Sequence, residues 1–385
     1  MRDGAGSPHT RSRFKMSRTY IPALDGLRAL SVLAVLLFHS GIGYPGGFLG
    51  VDVFFVLSGY LITSILMEDI NSNGRIRFVD FYLRRARRLL PALLVMLALA
   101  GVLSWICGRE GLAAPALAAL LYYANWMVCL QGLSSMGELI HTWSLSVEEQ
   151  FYIVWPALLL VLVRMHGAGD RLAKLVLRVV VALAVARGVL YCLHSWLASY
   201  YSTVARADSI LIGCACALWT CQGRGAEFWA GRRGTLIAWA CGSTLLILSF
   251  FITAESDFLF VGGFTFVALY AAAMILHLVA SPSTSMARLF ANKFLVAIGK
   301  RSYGIYLYHL PVFFAFPAPP PSYGIWAMLG IATLKIVVTC GIAWLSYRYV
   351  ELPFLRRSNA HHHDDGTSAI SSDSGEPQQN LAKAA

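Results

Sequence analysis

Long apolar runs constrain this chain more than any other feature of its sequence. A helix needs roughly 17–25 predominantly apolar residues to cross the hydrocarbon core of a bilayer. Only 13% of the 385 residues are charged and 57% are hydrophobic, whereas soluble domains carry about 25% charged residues. The composition therefore predicts an all-α, polytopic transmembrane helix bundle. The ten predicted spans are 22–42, 47–67, 89–107, 149–165, 174–193, 207–221, 235–253, 258–280, 302–317 and 324–347.

Basic residues in the loops predict the orientation of these spans. The chain carries a net charge of +11, and its lysines and arginines lie in short clusters between the apolar runs. Cytoplasmic loops of membrane proteins carry an excess of such residues. The basic loops all lie on one side only if an eleventh apolar stretch, 112–130, does not cross the membrane. We therefore predict about ten spans with both termini cytoplasmic. The same clustering argues against a nucleic-acid partner.

The two ends of the chain differ from its middle in composition. Residues 1–19 are polar and basic, and residues 358–385 are rich in serine, aspartate, glutamine and alanine without periodicity. Such segments bury too little apolar surface to fold. We predict a disordered basic N-terminal lead, one membrane domain over 20–357 and a disordered cytoplasmic tail. The eight cysteines form no CxxC pair, and no metal site or bound cofactor is predicted.

The first span carries two ionisable residues on one helix face. Arg28 and His39 are eleven residues apart, which is three helical turns plus about 20°, or roughly 16 Å along the axis. Ionisable groups inside the hydrocarbon are costly and usually mark function. A snorkelling arginine and a core histidine bonded to a carbonyl would be the purely structural alternative. The shared face favours a functional role.

Four arginines precede Pro91 at the start of the third span. Some of them act as orientation anchors under the positive-inside rule. Arg85 and Arg88 are three residues apart, so they point to one side of a helix and can fork onto phosphate oxygens. The cluster therefore allows two predictions. Either all four arginines only anchor the orientation of the third span, or Arg85 and Arg88 also bind phosphate.

Two pairs of charged residues lie at the edges of later spans. Glu148 and Glu149 precede the fourth span, where a carboxylate either favours the first turn of a helix or orients a nearby histidine. Arg206 and Asp208 lie at the start of another apolar run, either as a local ion pair or as a functional pair.

A row of tyrosines opens the ninth span. The segment reads Ser302-Tyr303-Gly304-Ile305-Tyr306-Leu307-Tyr308-His309. Tyrosine is enriched where membrane meets water, so the row predicts an interfacial aromatic belt rather than a site. His309 is a further candidate polar group.

Taken in order, these residues resemble the acyltransferase 3 family of membrane O-acyltransferases. That family includes enzymes that acetylate O-antigen, exopolysaccharides, lipo-chitooligosaccharides and macrolide sugars. Each motif alone is weak, but the ordered set is specific and covers about 20–357. The matching text is Leu24-Asp25-Gly26-Leu27-Arg28 with His39, Gly50 to Tyr60, Arg85 and Arg88 before Pro91, Trp143-Ser144-Leu145 through Glu149-Gln150-Phe151-Tyr152, Arg206 and Asp208 before Gly213, Ser302-Tyr303 with His309, and Glu351 before Pro353.

The resemblance implies an acyl-CoA donor, usually acetyl-CoA, and an acceptor hydroxyl on a saccharide such as a cell-surface polysaccharide or its lipid-linked precursor. It implies catalytic roles for His39, Arg28 and Glu149, with His39 as a general base or a transient acyl carrier. Arg85 and Arg88 would bind acyl-CoA through its phosphates. Supporting roles are expected for Asp25, Asp52, Glu148, Arg206, Asp208, Ser302, Tyr303 and His309.

The expected setting is the bacterial cytoplasmic (inner) membrane, with the lipid bilayer as a partner and the arginines facing cytosolic CoA. A polytopic transporter or flippase of a glycan or lipid precursor is the alternative function, because buried charges within ten spans suit one as well. The absence of a visible internal sequence repeat favours the enzyme.

Overall fold

The computed structural model of the protein describes residues 20–194, 196–317 and 320–355. All regular secondary structure in these residues is helical. The predicted lead, 1–19, and the whole predicted tail, 358–385, lie outside the described residues. The α-helices are α1 (Pro22–His39), α2 (Gly50–Asn73), α3 (Phe78–Ile106), α4 (Ala113–Leu120), α5 (Ala124–Gln131), α6 (Thr142–His166), α7 (Asp170–Leu193), α8 (Trp196–Tyr201), α9 (Thr203–Thr220), α10 (Ala226–Ala230), α11 (Arg232–Phe251), α12 (Phe264–Ala280), α13 (Ser285–Phe290), α14 (Lys293–Lys300), α15 (Ser302–Ala315) and α16 (Gly324–Ser346).

Short helical segments of other types extend or connect these helices. The 3₁₀ helices are Gly47–Leu49, Leu133–Ser135, Gly137–Leu139 and Pro321–Tyr323. Two π-helical segments, Leu259–Gly263 and Tyr347–Glu351, lead into α12 and continue α16.

Eight helical segments in the described part of the chain are long and apolar enough to cross a membrane. The chain is therefore an all-α, multi-pass membrane protein, as its composition predicts. These segments are Pro22–His39, Gly47–Asn73, Phe78–Ile106, Thr142–His166, Asp170–Leu193, Arg232–Phe251, Leu259–Ala280 and Gly324–Leu355.

The other two predicted spans are also helices, but they are less typical of a membrane crossing. The run 207–221 lies in α9, which is 18 residues long and carries a buried arginine and a buried aspartate. The run 302–317 lies in α15, whose 14 residues extend for only about 21 Å. The number of crossings and the side on which each terminus lies remain predictions.

The apolar stretch 112–130 is broken into two helices. Helices α4 and α5 have eight residues each, about 12 Å, which is too short to cross a bilayer. Between them Tyr122 has a φ of 55°, in the left-handed region that ends a helix. This geometry agrees with the prediction that the stretch does not span the membrane.

Glycines bring the backbones of α2 and α9 into contact. A Cβ at Gly59 of α2 would lie 1.9 Å from the carbonyl oxygen of Ile210, and one at Gly213 of α9 would lie 2.0 Å from that of Val56. Small residues at such crossings allow membrane helices to approach closely. The α2–α9 pair therefore forms a tightly packed part of the helix bundle.

Helices α1 and α15 run in the same direction. Near their N-termini, the Arg28 side chain of α1 donates a hydrogen bond to Ser302 of α15. Toward their C-termini, the rings of His39 and His309 are 5.0 Å apart between centroids. The predicted Arg28–His39 face of the first span is therefore the face that packs on α15.

Candidate active site

An arginine-rich cavity of about 140 Å³ lies between α1, α2, α3, α6 and α15. Most of its wall is apolar, with charged side chains from α1, α3 and α6. Polar groups that converge in one apolar pocket are the usual form of a small-molecule site. Seven of the thirteen predicted site residues line this cavity, and they are Arg28, Arg85, Arg88, Glu148, Glu149, Ser302 and Tyr303.

Arg85 and Glu149 form a bidentate ion pair between α3 and α6. The Nε of Arg85 donates to both carboxylate oxygens at 2.9 and 3.0 Å, and Nη2 donates to Oε1 at 2.5 Å. The guanidinium carbon also lies 3.3 Å from the ring centroid of Tyr152, within the range of a cation–π contact. Arg85 is thus already engaged by the protein, and its predicted phosphate-binding role has fewer free donors than expected.

Arg28 and Arg88 retain more of their hydrogen-bonding capacity. Arg28 donates from Nε to the Ser302 hydroxyl at 3.2 Å. Arg88 lines the cavity and forms no hydrogen bond or salt bridge with any residue that the structure describes. A guanidinium carries five N–H donors, so both groups can still bind an oxyanion. Phosphate binding within the arginine cluster is therefore best suited to these two residues.

The remaining predicted groups of the cavity are fixed by hydrogen bonds. The Ser58 hydroxyl donates to the Glu148 carboxylate at 2.9 Å. The Tyr303 hydroxyl donates to the Leu89 carbonyl oxygen at 3.0 Å, which ties α15 to α3.

Three histidines form a cluster that contacts Tyr306 of the cavity wall. The ring of His309 lies 5.0 Å from that of His39 and 5.0 Å from that of His141, between centroids. His39 and His309 are predicted site residues, whereas His141 is not. His141 directly precedes α6, and its position next to the Trp143-Ser144-Leu145 motif is the one sequence signal that points to it.

Hydrogen bonds to carbonyl oxygens determine which nitrogen of each ring is free. The Nδ1 of His39 lies 3.0 Å from the Val35 oxygen, and the Nδ1 of His309 bonds to the Tyr306 oxygen. A carbonyl oxygen only accepts, so Nδ1 carries a hydrogen, and Nε2 is the nitrogen that holds the lone pair whenever the ring is neutral. In the described residues, the Nε2 of His309 is buried without a partner. Because the Nδ1 of His39 is bonded to the Val35 oxygen, Nε2 is the nitrogen of this ring that can accept a proton.

Tyr306 connects the cavity with the histidines. Its ring lines the cavity and lies 5.3 Å from His309 and 5.7 Å from His141, between centroids. Its hydroxyl is 2.6 Å from the Ser144 hydroxyl and donates to the His141 carbonyl oxygen at 3.0 Å. The prediction of an interfacial belt is wrong for this tyrosine and for the fully buried Tyr308, because α15 is enclosed by other helices.

Arg206 and Asp208 do not pair with each other, contrary to the local ion pair considered above. Arg206 bonds to Asp52 of α2 at 2.7 Å, and Asp208 bonds to Arg187 of α7 at 2.7 Å. All four side chains are fully buried. Arg206 also lies 3.9 Å from the ring centroid of Phe264. These residues join α9 to α2, α7 and α12, and they lie outside the cavity wall.

Asp25 also lies outside the cavity wall. Its carboxylate accepts a hydrogen bond from the Tyr20 hydroxyl at 2.6 Å. Arg187 is not among the predicted site residues. Its position could have been noticed in the sequence, because it is an arginine inside the apolar run 174–193.

Comparison with known proteins agrees with the resemblance seen in the motifs. A family model described as an acyltransferase domain matches residues 21–348. The chain belongs to this acyltransferase family. It is therefore an enzyme of a family that transfers acyl groups, rather than the transporter considered as the alternative.

The relatives of this acyltransferase have more specific names. The chain is 38% identical over 352 residues to a putative peptidoglycan O-acetyltransferase of Bacillus subtilis, YrhL, with 87% of this chain and 55% of the relative covered. It is 36% identical over 357 residues to the peptidoglycan O-acetyltransferase OatA of Listeria monocytogenes, with 88% and 56% covered.

A putative O-acetyltransferase of Staphylococcus aureus (strain COL) is 33% identical over 368 residues, with 89% of this chain and 58% of the relative covered. The acyltransferase thus spans little more than half the length of these relatives. No solved structure matches it significantly.

Proposed function

We propose that this acyltransferase moves an acetyl group from cytosolic acetyl-CoA to a hydroxyl of a saccharide in the cell envelope. The names of the relatives make a peptidoglycan-type glycan or its lipid-linked precursor the first acceptor to test. The protein would act in the bacterial cytoplasmic membrane, with the arginine end of α1 toward the cytosol, where the positive-inside rule places it.

One observation carries the proposal: Tyr306 lines the cavity that holds Arg28 and Arg88, and it also contacts two members of the three-histidine cluster. CoA is a polyanion, and arginine binds phosphate oxygens through its forked donors. Arg28 and Arg88 supply such donors at one end. The acyl thioester at the other end of the CoA arm would then approach His39, roughly 16 Å farther along α1.

The proposed chemistry at His39 is acyl transfer. With His39 as general base, Nε2 takes the proton of the acceptor hydroxyl while the hydroxyl oxygen attacks the thioester carbonyl. The C–S bond then breaks, and the CoA thiolate takes the proton back from the imidazolium. With His39 as acyl carrier, Nε2 itself attacks the carbonyl, the C–S bond breaks, and CoA leaves as a thiolate. The acceptor hydroxyl then attacks the acetyl-imidazolium, which frees the imidazole, and the hydroxyl proton goes to the CoA thiolate. Either route needs the lone pair that the Val35 hydrogen bond leaves on Nε2.

The direct test is transfer of radiolabelled acetate from acetyl-CoA in membranes that contain His39→Ala. We expect no labelled envelope glycan, with normal membrane insertion and normal acetyl-CoA binding. His166→Ala is the matched control, because His166 is exposed at the end of α6, and it should transfer normally. Mass spectrometry of envelope glycans from cells with and without the gene identifies the acceptor. Normal product from His39→Ala would refute the catalytic assignment.

A further inference from the structure

Lys335 is a buried cation in the middle of a membrane-spanning helix. It lies eleven residues into α16, about 16 Å from the start of the helix, which is too far for its side chain to reach the membrane surface. The residue is 5% exposed. It forms no hydrogen bond or salt bridge with any residue that the structure describes. An intramembrane lysine that contacts an aromatic ring but no carboxylate in the described residues indicates a site for an anion.

A second unpaired polar group lies one turn farther along the same face of α16. Thr339 is four residues after Lys335, so the two side chains share a face. Thr339 is fully buried, and in the described residues its hydroxyl has no hydrogen-bond partner. Buried hydroxyls are nearly always hydrogen-bonded, so an unpaired one calls for a bound polar group.

Phe313 of α15 connects this face of α16 with the histidines. The Nζ of Lys335 lies 5.5 Å from the ring centroid of Phe313. The same ring lies 5.8 Å from that of His309, between centroids. Lys335 is therefore one aromatic ring away from the histidine cluster.

Lys335 carries a charge that no carboxylate in the described residues balances. Arg109 donates to the Phe314 carbonyl oxygen at 3.3 Å, so a second cation lies beside the same end of α15. Its charge is balanced by Glu138 at 3.0 Å. A neutral saccharide would leave the Lys335 ammonium uncompensated, whereas a carboxylate or phosphate would pair with it.

We propose that Lys335 and Thr339 bind an anionic group of the acceptor, so that the acceptor is a saccharide bearing a carboxylate or a phosphate. The inference rests on the proposed function and specifies its acceptor. Lys335 and Thr339 donate hydrogen bonds to the anion. Phe313 contacts both Lys335 and His309, so the bound saccharide extends from the anion toward the histidine cluster.

The experiment labels the natural acceptor pool of membranes that contain the full-length chain, using radiolabelled acetyl-CoA. Anion-exchange chromatography should retain the His39-dependent product. Amidation of the pool with carbodiimide and methylamine before labelling should abolish transfer if the anion is a carboxylate. Phosphatase or mild acid treatment should abolish it if the anion is a phosphate. A His39-dependent product that is neutral, or that forms undiminished after every treatment, would overturn the proposal.

Variants connect the charge of the product with Lys335. Lys335→Met removes one charge-assisted hydrogen bond to the anion. It should therefore raise the acceptor concentration for half-maximal transfer by about tenfold or more. Its half-maximal acetyl-CoA concentration should stay the same. Lys335→Arg should restore most of the acceptor affinity, and Thr339→Val should weaken it. The exposed Lys174 of α7 provides the control, and Lys174→Met should behave as the unmodified chain.

The outcomes separate this proposal from the one on which it rests. Transfer that persists in His39→Ala would refute the proposed function. His39-dependent transfer with an unchanged acceptor requirement in Lys335→Met would refute the anion site alone. Thermal unfolding of each variant in detergent distinguishes loss of binding from loss of folding, and the Lys335→Arg variant, which keeps the charge, decides the matter if Lys335→Met is unstable.

Discussion

The Arg85–Glu149 ion pair allows a quantitative test of how the cavity is built. Arg85→Ala removes three N–O contacts and the cation–π contact with Tyr152, and it leaves a carboxylate only 13% exposed. Removing one partner of a buried ion pair costs about 3–5 kcal/mol. Water in the cavity solvates part of the remaining charge, so we expect the lower end, about 3 kcal/mol. Glu149→Ala should cost a similar amount, since Arg85 is 19% exposed.

The double variant separates pairing from packing. Arg85→Ala with Glu149→Ala leaves no unpaired charge, so its destabilisation should be smaller than the sum of the two single changes by about 2 kcal/mol or more. The assay is reversible unfolding in mixed detergent micelles, followed by circular dichroism. Additive single changes, or a stable Arg85→Ala variant, would refute the reasoning.

Arg88 is the contrasting residue on the same helix. Arg88→Ala breaks no hydrogen bond in the described structure, so stability should change by less than about 0.5 kcal/mol. Acetyl-CoA affinity should fall about tenfold or more if a phosphate contact worth roughly 1.5–3 kcal/mol is lost. Isothermal titration with acetyl-CoA measures this. An unchanged affinity would reduce Arg88 to an orientation anchor.

Three further predictions test other parts of the structure. Gly213→Ala places a Cβ 2.0 Å from the Val56 oxygen and should destabilise the fold by about 1–3 kcal/mol in the same unfolding assay, whereas Gly330→Ala on α16, with no atom within 4 Å, should not. Tyr306→Phe removes the hydroxyl bonded to Ser144 and to the His141 oxygen, and it should lower the transfer rate while acetyl-CoA affinity stays the same in a titration. Arg187→Met leaves Asp208 buried without its cation and should reduce thermal stability by the equivalent of about 3–5 kcal/mol, with part of the loss recovered in Arg187→Met with Asp208→Asn.

The features that depend on local spacing could be predicted from the sequence. The eight long apolar helices follow from the length of the apolar runs. Loop charge predicts that 112–130, which forms two short helices, does not cross. The common face of Arg28 and His39 follows from helical periodicity. The arginine and glutamate motifs meet in one cavity because each lies at the end of a predicted helix.

The partners of buried charges could not be predicted in the same way. Arg206 and Asp208 are two residues apart, so they point to different sides of α9 and bond to separate helices. Their partners lie 154 and 21 residues away in sequence, and nothing local selects them. The position of His141 depends likewise on how the preceding 3₁₀ turn, Gly137–Leu139, packs on α15, which is a tertiary property.

Helix α15 explains both the organisation of the site and the main departure from the predicted spans. Ser302, Tyr306, His309 and Phe313 follow one another at intervals of four, three and four residues, so they share one face. That face contacts in turn the guanidinium of Arg28, the cavity, the histidine cluster and Lys335. Ser302 and His309 of α15 contact Arg28 and His39 of α1 in the same order along the chain, so the two helices run parallel.

A helix in this position does not need the length or the composition of one that faces lipid. Almost all of α15 from Ser302 to Phe313 is buried against protein, so its polar residues are matched to neighbouring side chains rather than to hydrocarbon. Polar backbone and side chains at membrane depth are tolerated only where protein or a cavity encloses them. Helix α15 is short and carries hydroxyls and a histidine along one face, which makes it untypical of a membrane span. The same properties suit it to carry the candidate site.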